Sequence, residues 1–97
     1  MPTYISLFSF TPQGLQNIKA TTARAEAFKA KAKSKGATLK EVYWTMGEYD
    51  VVAIIEAPSD EAITSLLYSL VGQGNVHTHT LKAFTAGEME KILAKMD

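Results

Sequence analysis

His77 and His79 are the only histidines in the chain. Spaced i and i+2, they project from the same side of a strand. Neutral imidazoles so placed can share a metal ion, provided a third ligand is within reach. The acids that could supply one, Glu41, Asp50 and Glu56, fall on other segments with a strand between. An exposed polar pair on an edge strand is the plainer reading, and no metal is expected. A second group is Gly47, Tyr49 and Asp50. Glycine lets a backbone approach closely, tyrosine offers stacking area and a hydroxyl, and aspartate anchors a cationic group, so the trio could form a ligand-contacting turn. The same residues also satisfy ordinary turn chemistry, with glycine at positive φ and aspartate bonding neighbouring amides. A third group is Tyr43, Glu41 and Glu56. On a sheet face closed off from water, a carboxylate has a raised pKa and can act as a base. That makes Tyr43 and Glu56 acid–base candidates and Glu41 a ligand contact; an interface polar network is the competing reading. Trp44 reads as core.

The elements that must hold these groups follow from residue type and punctuation. Thr3 to Phe10 (TYISLFSF) is β-branched and aromatic, as a strand requires. Thr11-Pro12 then starts a short helical turn, and Thr21-Thr22 caps an Ala/Lys-rich helix that stops at Gly36. Leu39 to Met46 forms a second strand, Gly47-Glu48 a two-residue turn, and Asp50 to Glu56 a third strand. Ser59 caps a helix carrying Ile63, Leu66, Leu67 and Leu70 on one face. Asn75 to Phe84 is the fourth strand. Thr85 and Glu88 form a capping box for a last helix with a Met89, Ile92, Leu93, Met96 stripe. The order β-α-β-β-α-β-α predicts an α+β, ferredoxin-like βαββαβ fold: a four-stranded antiparallel sheet, strand order 4-1-3-2, helices on one face, and a C-terminal helix. Nothing divides residues 1–97, so a single domain is expected.

Composition narrows the function classes. Ten Lys and Arg balance ten Asp and Glu, so no bulk charge points to nucleic acid or an anionic membrane. Residues 1–48 carry seven basic against three acidic groups and residues 49–97 the reverse, which suits steered self-association or simply two solvated surfaces. Lys29, Lys31, Lys33 and Lys35 turn about 200° per step around a helix and make no stripe, so nucleic-acid binding is not expected. Cysteine is absent, which removes disulfides and thiolate chemistry and fits a reducing cytoplasm. No leader is evident in MPTYIS, and the apolar run Val51 to Ile55 is far shorter than the ~20 residues of a membrane span. There is no phosphate loop, serine elbow or zinc-protease motif, and no cofactor is expected.

The sheet holds a more specific message. With a turn at Gly47-Glu48, Met46 pairs with Tyr49, Trp44 with Val51, Val42 with Ala53 and Lys40 with Ile55 on the helix side. Thr45 with Asp50, Tyr43 with Val52, Glu41 with Ile54 and Leu39 with Glu56 lie on the other. The third strand is apolar on both sides, and Tyr4, Phe8 and Phe10 are expected on the face away from Ile5 and Leu7, adding to the uncovered side. Strands apolar on both faces need cover on both, and the helices cover one. A second copy, sheet against sheet, is the expected remedy: a homodimer or higher even oligomer. The competing arrangement folds the last helix over the open face.

The string Gly47-Glu48-Tyr49-Asp50, preceded by EVYWTM and followed by VVAIIEAPSDEA, resembles the GYD domain family. The similarity runs from TYISLFSFT to GNVHTHTLKAFTAGEMEKIL. It implies a ferredoxin-like domain related to dimeric α/β-barrel proteins, and carries no assigned chemistry. The stretch GEYDVVAIIEAPSDEA…GNVHTHTL is also similar to the ligand-sensing module of leucine-responsive transcription regulators, without their helix-turn-helix. The expected function is a cytoplasmic, homo-oligomeric module that binds a small molecule at the protomer interface or between the sheets. The alternatives are a small cofactor-free oxygenase- or isomerase-like enzyme and a purely structural assembly unit.

Overall fold

Pairing of small and bulky residues on the two central strands decides which side of the sheet becomes core. The computed structural model describes the whole of Met1–Asp97. Its strands are β1 (Thr3–Phe10), β2 (Thr38–Trp44), β3 (Val51–Glu56) and β4 (Val76–Ala83). Its helices are α1 (Pro12–Gln16), α2 (Thr21–Ser34), α3 (Asp60–Val71) and α4 (Ala86–Ala94), with a 3-10 turn at Ile18–Ala20 joining α1 to α2. All neighbours in the sheet are antiparallel, in the order β2-β3-β1-β4. This is the ferredoxin-like α+β arrangement that the order of elements predicts.

Helix starts obey local chemistry. The Thr11 hydroxyl accepts from the Gly14 N–H at 3.0 Å, and Ser59 Oγ accepts from the Ala62 N–H at 3.1 Å. Thr85 and Glu88 close a reciprocal box, with bonds of 3.2 and 2.9 Å. A Cβ on Gly14 would sit 2.1 Å from the Asn75 carbonyl oxygen, so only glycine lets α1 lie against the entry to β4. Thr11 reinforces that junction: its N–H donates to the Asn75 carbonyl at 3.1 Å and its hydroxyl to the Gly74 carbonyl at 2.5 Å.

The core lies between the sheet and α2 and α3. Tyr4 and Phe8 of β1, Val51, Ala53 and Ile55 of β3, Phe28 and Ala32 of α2, and Ile63, Leu66 and Leu67 of α3 are all buried there. The β1 faces are therefore the reverse of the sequence expectation. Tyr4 pairs with Ile55, Ser6 with Ala53 and Phe8 with Val51, and these meet the helices. Ile5 and Leu7 sit with Ile54 and Val52 on the open face. Ser6, small and polar in the core, is satisfied by Thr80 Oγ1 at 2.8 Å.

Three further expectations are corrected. The β2–β3 register holds from Trp44↔Val51 to Glu41↔Ile54, then shifts: Leu39 meets Ile55 and Thr38 meets Glu56. A bulge at Lys40 turns the one large apolar residue of that end, Leu39, into the core and sends Lys40 outward. The hairpin loop is wider than two residues, because pairing stops at the Thr45 N–H to Asp50 carbonyl bond of 2.8 Å and Met46 is fully exposed. Trp44 is 42% exposed instead of core, since β2 is an edge strand; its indole N–H donates to Thr21 Oγ1 at 3.0 Å. The competing arrangement, with α4 folded over the open face, is not adopted: all residues of α4 except Glu88 are exposed, including Met89, Ile92 and Leu93.

Candidate functional site

The open face is built from alternate residues of all four strands. Its middle is Ile5 and Leu7 of β1 with Val52 and Ile54 of β3. Glu41 and Tyr43 flank it on β2, and His77, His79 and Leu81 on β4, opposite Ser9, Leu7 and Ile5 respectively. Tyr43 and Leu81 are more than half exposed. Two side-chain pairs lie at its flanks. The Tyr43 hydroxyl donates to Glu41 Oε2 at 3.1 Å, and that carboxylate holds the phenol above its ordinary pKa. The Tyr49 ring meets the His79 ring edge-on, centroids 5.9 Å apart and planes at 64°.

The structure brings some sequence-derived candidates together and separates others. Glu41 pairs with Tyr43, and Tyr49 with His79. Glu56 is engaged by Lys40 Nζ at 3.6 Å. Tyr43 faces Val52, four residues along β3 from Glu56, so the two acid–base candidates stand about 13 Å apart at the strand rise of ~3.3 Å per residue. Asp50 has a visible task. Its Oδ2 accepts from the Phe10 N–H and its own N–H donates to the Phe8 carbonyl, both at 2.8 Å, tying the hairpin to the end of β1. Gly47 adopts φ of +121°, a conformation that favours glycine, with no atoms near enough to crowd a side chain. His77 and His79 are exposed, and no group of three or more His, Asp or Glu side chains is placed to hold a metal ion.

Sequence reasoning missed two features. On the helix side, Tyr4 donates to Asp60 Oδ1 at 2.5 Å and Lys82 Nζ lies 3.2 Å from the same oxygen. Burial, then the bond to Asp60, pushes the Tyr4 hydroxyl up to about 12; the bonds from Tyr4 and Lys82 hold Asp60 below the usual carboxylate range. The second is a cavity of about 60 Å³ between α2 and the sheet, with Arg24 in its wall. Its signal in the sequence is the spacing Thr21, Arg24, Ala25, Phe28, Ala32, which puts a lone arginine on the helix face that carries the buried residues.

The GYD domain model matches residues 4–93. The chain belongs to the GYD domain family. This GYD domain is 27% identical over 90 residues to a Thermus thermophilus protein named glutamine synthetase and cystathionine beta-lyase binding protein, covering 92% of this chain and 95% of that one. It also superimposes on the crystal structure of a Thermus thermophilus protein with a TM-score of 0.58 at 24% identity, covering 89% of this chain and 96% of the other. That second likeness is one of fold. No helix of this GYD domain is long and apolar enough to cross a membrane.

Proposed function

We propose that this GYD domain is a homodimeric binding protein of the cytoplasm. Two copies meet through their open sheet faces. The observation that carries this reading is the apolar surface the chain leaves uncovered: the Ile5, Leu7, Val52, Ile54 strip with exposed Leu81 beside it, and an α4 that covers none of it. Stacked sheets pack about 10 Å apart with interdigitating side chains. Seven residues on each of four strands make a face of about 450 Å², whereas a stable interface takes about 800 Å² per partner. The exposed stripe of α4, with Phe84 before it, supplies the remainder by reaching onto the other copy. The Glu41–Tyr43 and Tyr49–His79 pairs would then border the space between the sheets. There Gly47, Tyr49, Asp50 and Glu41 form the contact set for a small molecule.

A second reading concerns what the dimer serves. The Thermus relative is named as a binding protein for two enzymes, which supports a protein partner for this chain as well. Native mass spectrometry of the full chain at micromolar concentration tests both. Twice the protomer mass is expected, and a bare monomer overturns the proposal. A retained small mass supports the inter-sheet ligand; a complex formed on adding purified glutamine synthetase or cystathionine beta-lyase supports the protein partner.

A further inference from the structure

Three of the chain's four phenylalanines, Phe8, Phe10 and Phe28, and its only tryptophan, Trp44, line the cavity of about 60 Å³ between α2 and the sheet. The gap has a cause in residue size. Ala25 of α2 and Ala53 of β3 also line it, and a methyl group at each fills far less than the Ile55 and Leu66 side chains wholly buried elsewhere in the core. Trp44 does not fall inward to fill it: its indole N–H is held by Thr21 Oγ1 at 3.0 Å, and the residue remains 42% exposed. The rest of the lining is mainly aliphatic, with Thr21, Gln73 and Asn75 as neutral polar members and no Asp, Glu, Lys or His. Arg24 is the single charged residue in the wall, and it offers an anion no bidentate seat. Its Nη1 donates to the Asn17 carbonyl at 2.7 Å, and its Nη2 is buried out of reach of any water-sized group. A charged ligand would therefore enter an apolar space without a partner, which is costly. Water gains little there, since it needs about two to four polar partners. A neutral ring gives up neither and restores the dispersion contacts that an empty wall lacks.

We propose that this cavity binds a small uncharged aromatic molecule, one six-membered ring bearing a single polar group, packed among Phe8, Phe28 and Trp44. Size sets the ring count. A water-sized group needs about 10–15 Å³ of such space, so the cavity takes about four to six of them, one ring and not two. The walls set its character. Aromatic rings attract one another edge to face through their quadrupoles, beyond the area they bury, so an aromatic ring gains more here than a saturated one. Thr21, Gln73 and Asn75 give the polar group a neutral hydrogen-bond partner. The site lies within one protomer, on the opposite side of the sheet from the open face, and does not depend on dimerisation.

The test adds phenol, cyclohexanol, 2-naphthol and benzoate to the full chain. It follows Tm and the NMR signals of the Trp44 indole N–H and the Ala25 and Ala53 methyls, with Val52 and Ile54 of the open face as controls. Phenol is expected to shift the three cavity signals saturably, to leave the controls in place and to raise Tm. Cyclohexanol should bind more weakly than phenol, and 2-naphthol and benzoate about tenfold more weakly or not at all. Ala25→Leu, which fills the cavity, should abolish the phenol response. Val42→Ala, which enlarges the cavity instead, should admit 2-naphthol, and it decides the matter where Ala25→Leu fails to fold. No saturable shift with phenol at millimolar concentration overturns the proposal, as do shifts confined to Val52 and Ile54. So do binding of benzoate or cyclohexanol equal to that of phenol, unchanged phenol binding by a folded Ala25→Leu, or exclusion of 2-naphthol by Val42→Ala.

Discussion

The Tyr4 hydroxyl is shielded by burial and bonded to a carboxylate, so the folded state keeps its proton to about pH 12. In the unfolded chain it is lost near pH 10. The stability this contributes is fully present below about pH 10 and disappears as pH climbs toward about 12. Asp60 has the opposite sign. Its folded pKa is depressed, so its contribution is present above about pH 4 and is lost as pH falls through the folded value. Urea midpoints measured against pH should show Tyr4→Phe flattening the alkaline limb and Asp60→Asn flattening the acid one. Asp50 gives a second residue-scale prediction. Asp50→Ala strands the Phe10 N–H and should cost about 1–3 kcal/mol in chemical denaturation, with Asp50→Asn costing less because its amide oxygen still accepts. The sequence shows that Asp50 suits either a ligand or a backbone amide. It cannot show that the amide belongs to Phe10, forty residues earlier in the chain. Arg24 is hidden for a similar reason: among so many lysines, only the helix face reveals that it points inward.

Elements were more legible than residues. Caps at Thr11, Ser59 and Thr85 are local and stand where their types predict. The bulge at Lys40 is not local: it reflects competition between Leu39 and Lys40 for one core position, decided only when β2 docks under α2. The same competition inverted the faces of β1, whose two alternating sets are both apolar enough to be core. Two glycines separate packing from propensity. Gly14→Ala forces a Cβ into a backbone carbonyl that has no room to yield, and should lose about 3 kcal/mol or fail to fold. Gly87→Ala in α4 meets nothing and replaces the poorer helix former, so it should raise helix stability by about 0.5–1 kcal/mol. Thermal melts by circular dichroism distinguish the two directions.

At the scale of the molecule, the radius of gyration is 14.6 Å and the extents are 52 × 31 × 18 Å. A compact chain of this length should have a radius near ~12.5 Å. The excess fits a chain whose final helix is exposed along nearly its whole length. Ile92→Lys, on the stripe proposed to reach the other copy, should leave protomer stability within about 0.5 kcal/mol. It should weaken dimerisation about tenfold or more, measured by light scattering across a dilution series. Leu81→Glu on the sheet should do the same, because it buries an unpaired charge only in the dimer. Strand order was readable from the alternation of elements, and an apolar face left open by the helices from β3 being apolar on both sides. Neither required the hairpin register to be right throughout.

The contact between Thr11, Gly14, Gly74 and Asn75 has a consequence of its own. It stitches the loop leaving the first strand to the loop entering the last, two segments some sixty residues apart in the chain. Neither can loosen alone. The Thr11 amide should therefore exchange its hydrogen with solvent as slowly as those of the central strands, and a protease should nick neither loop until both let go together.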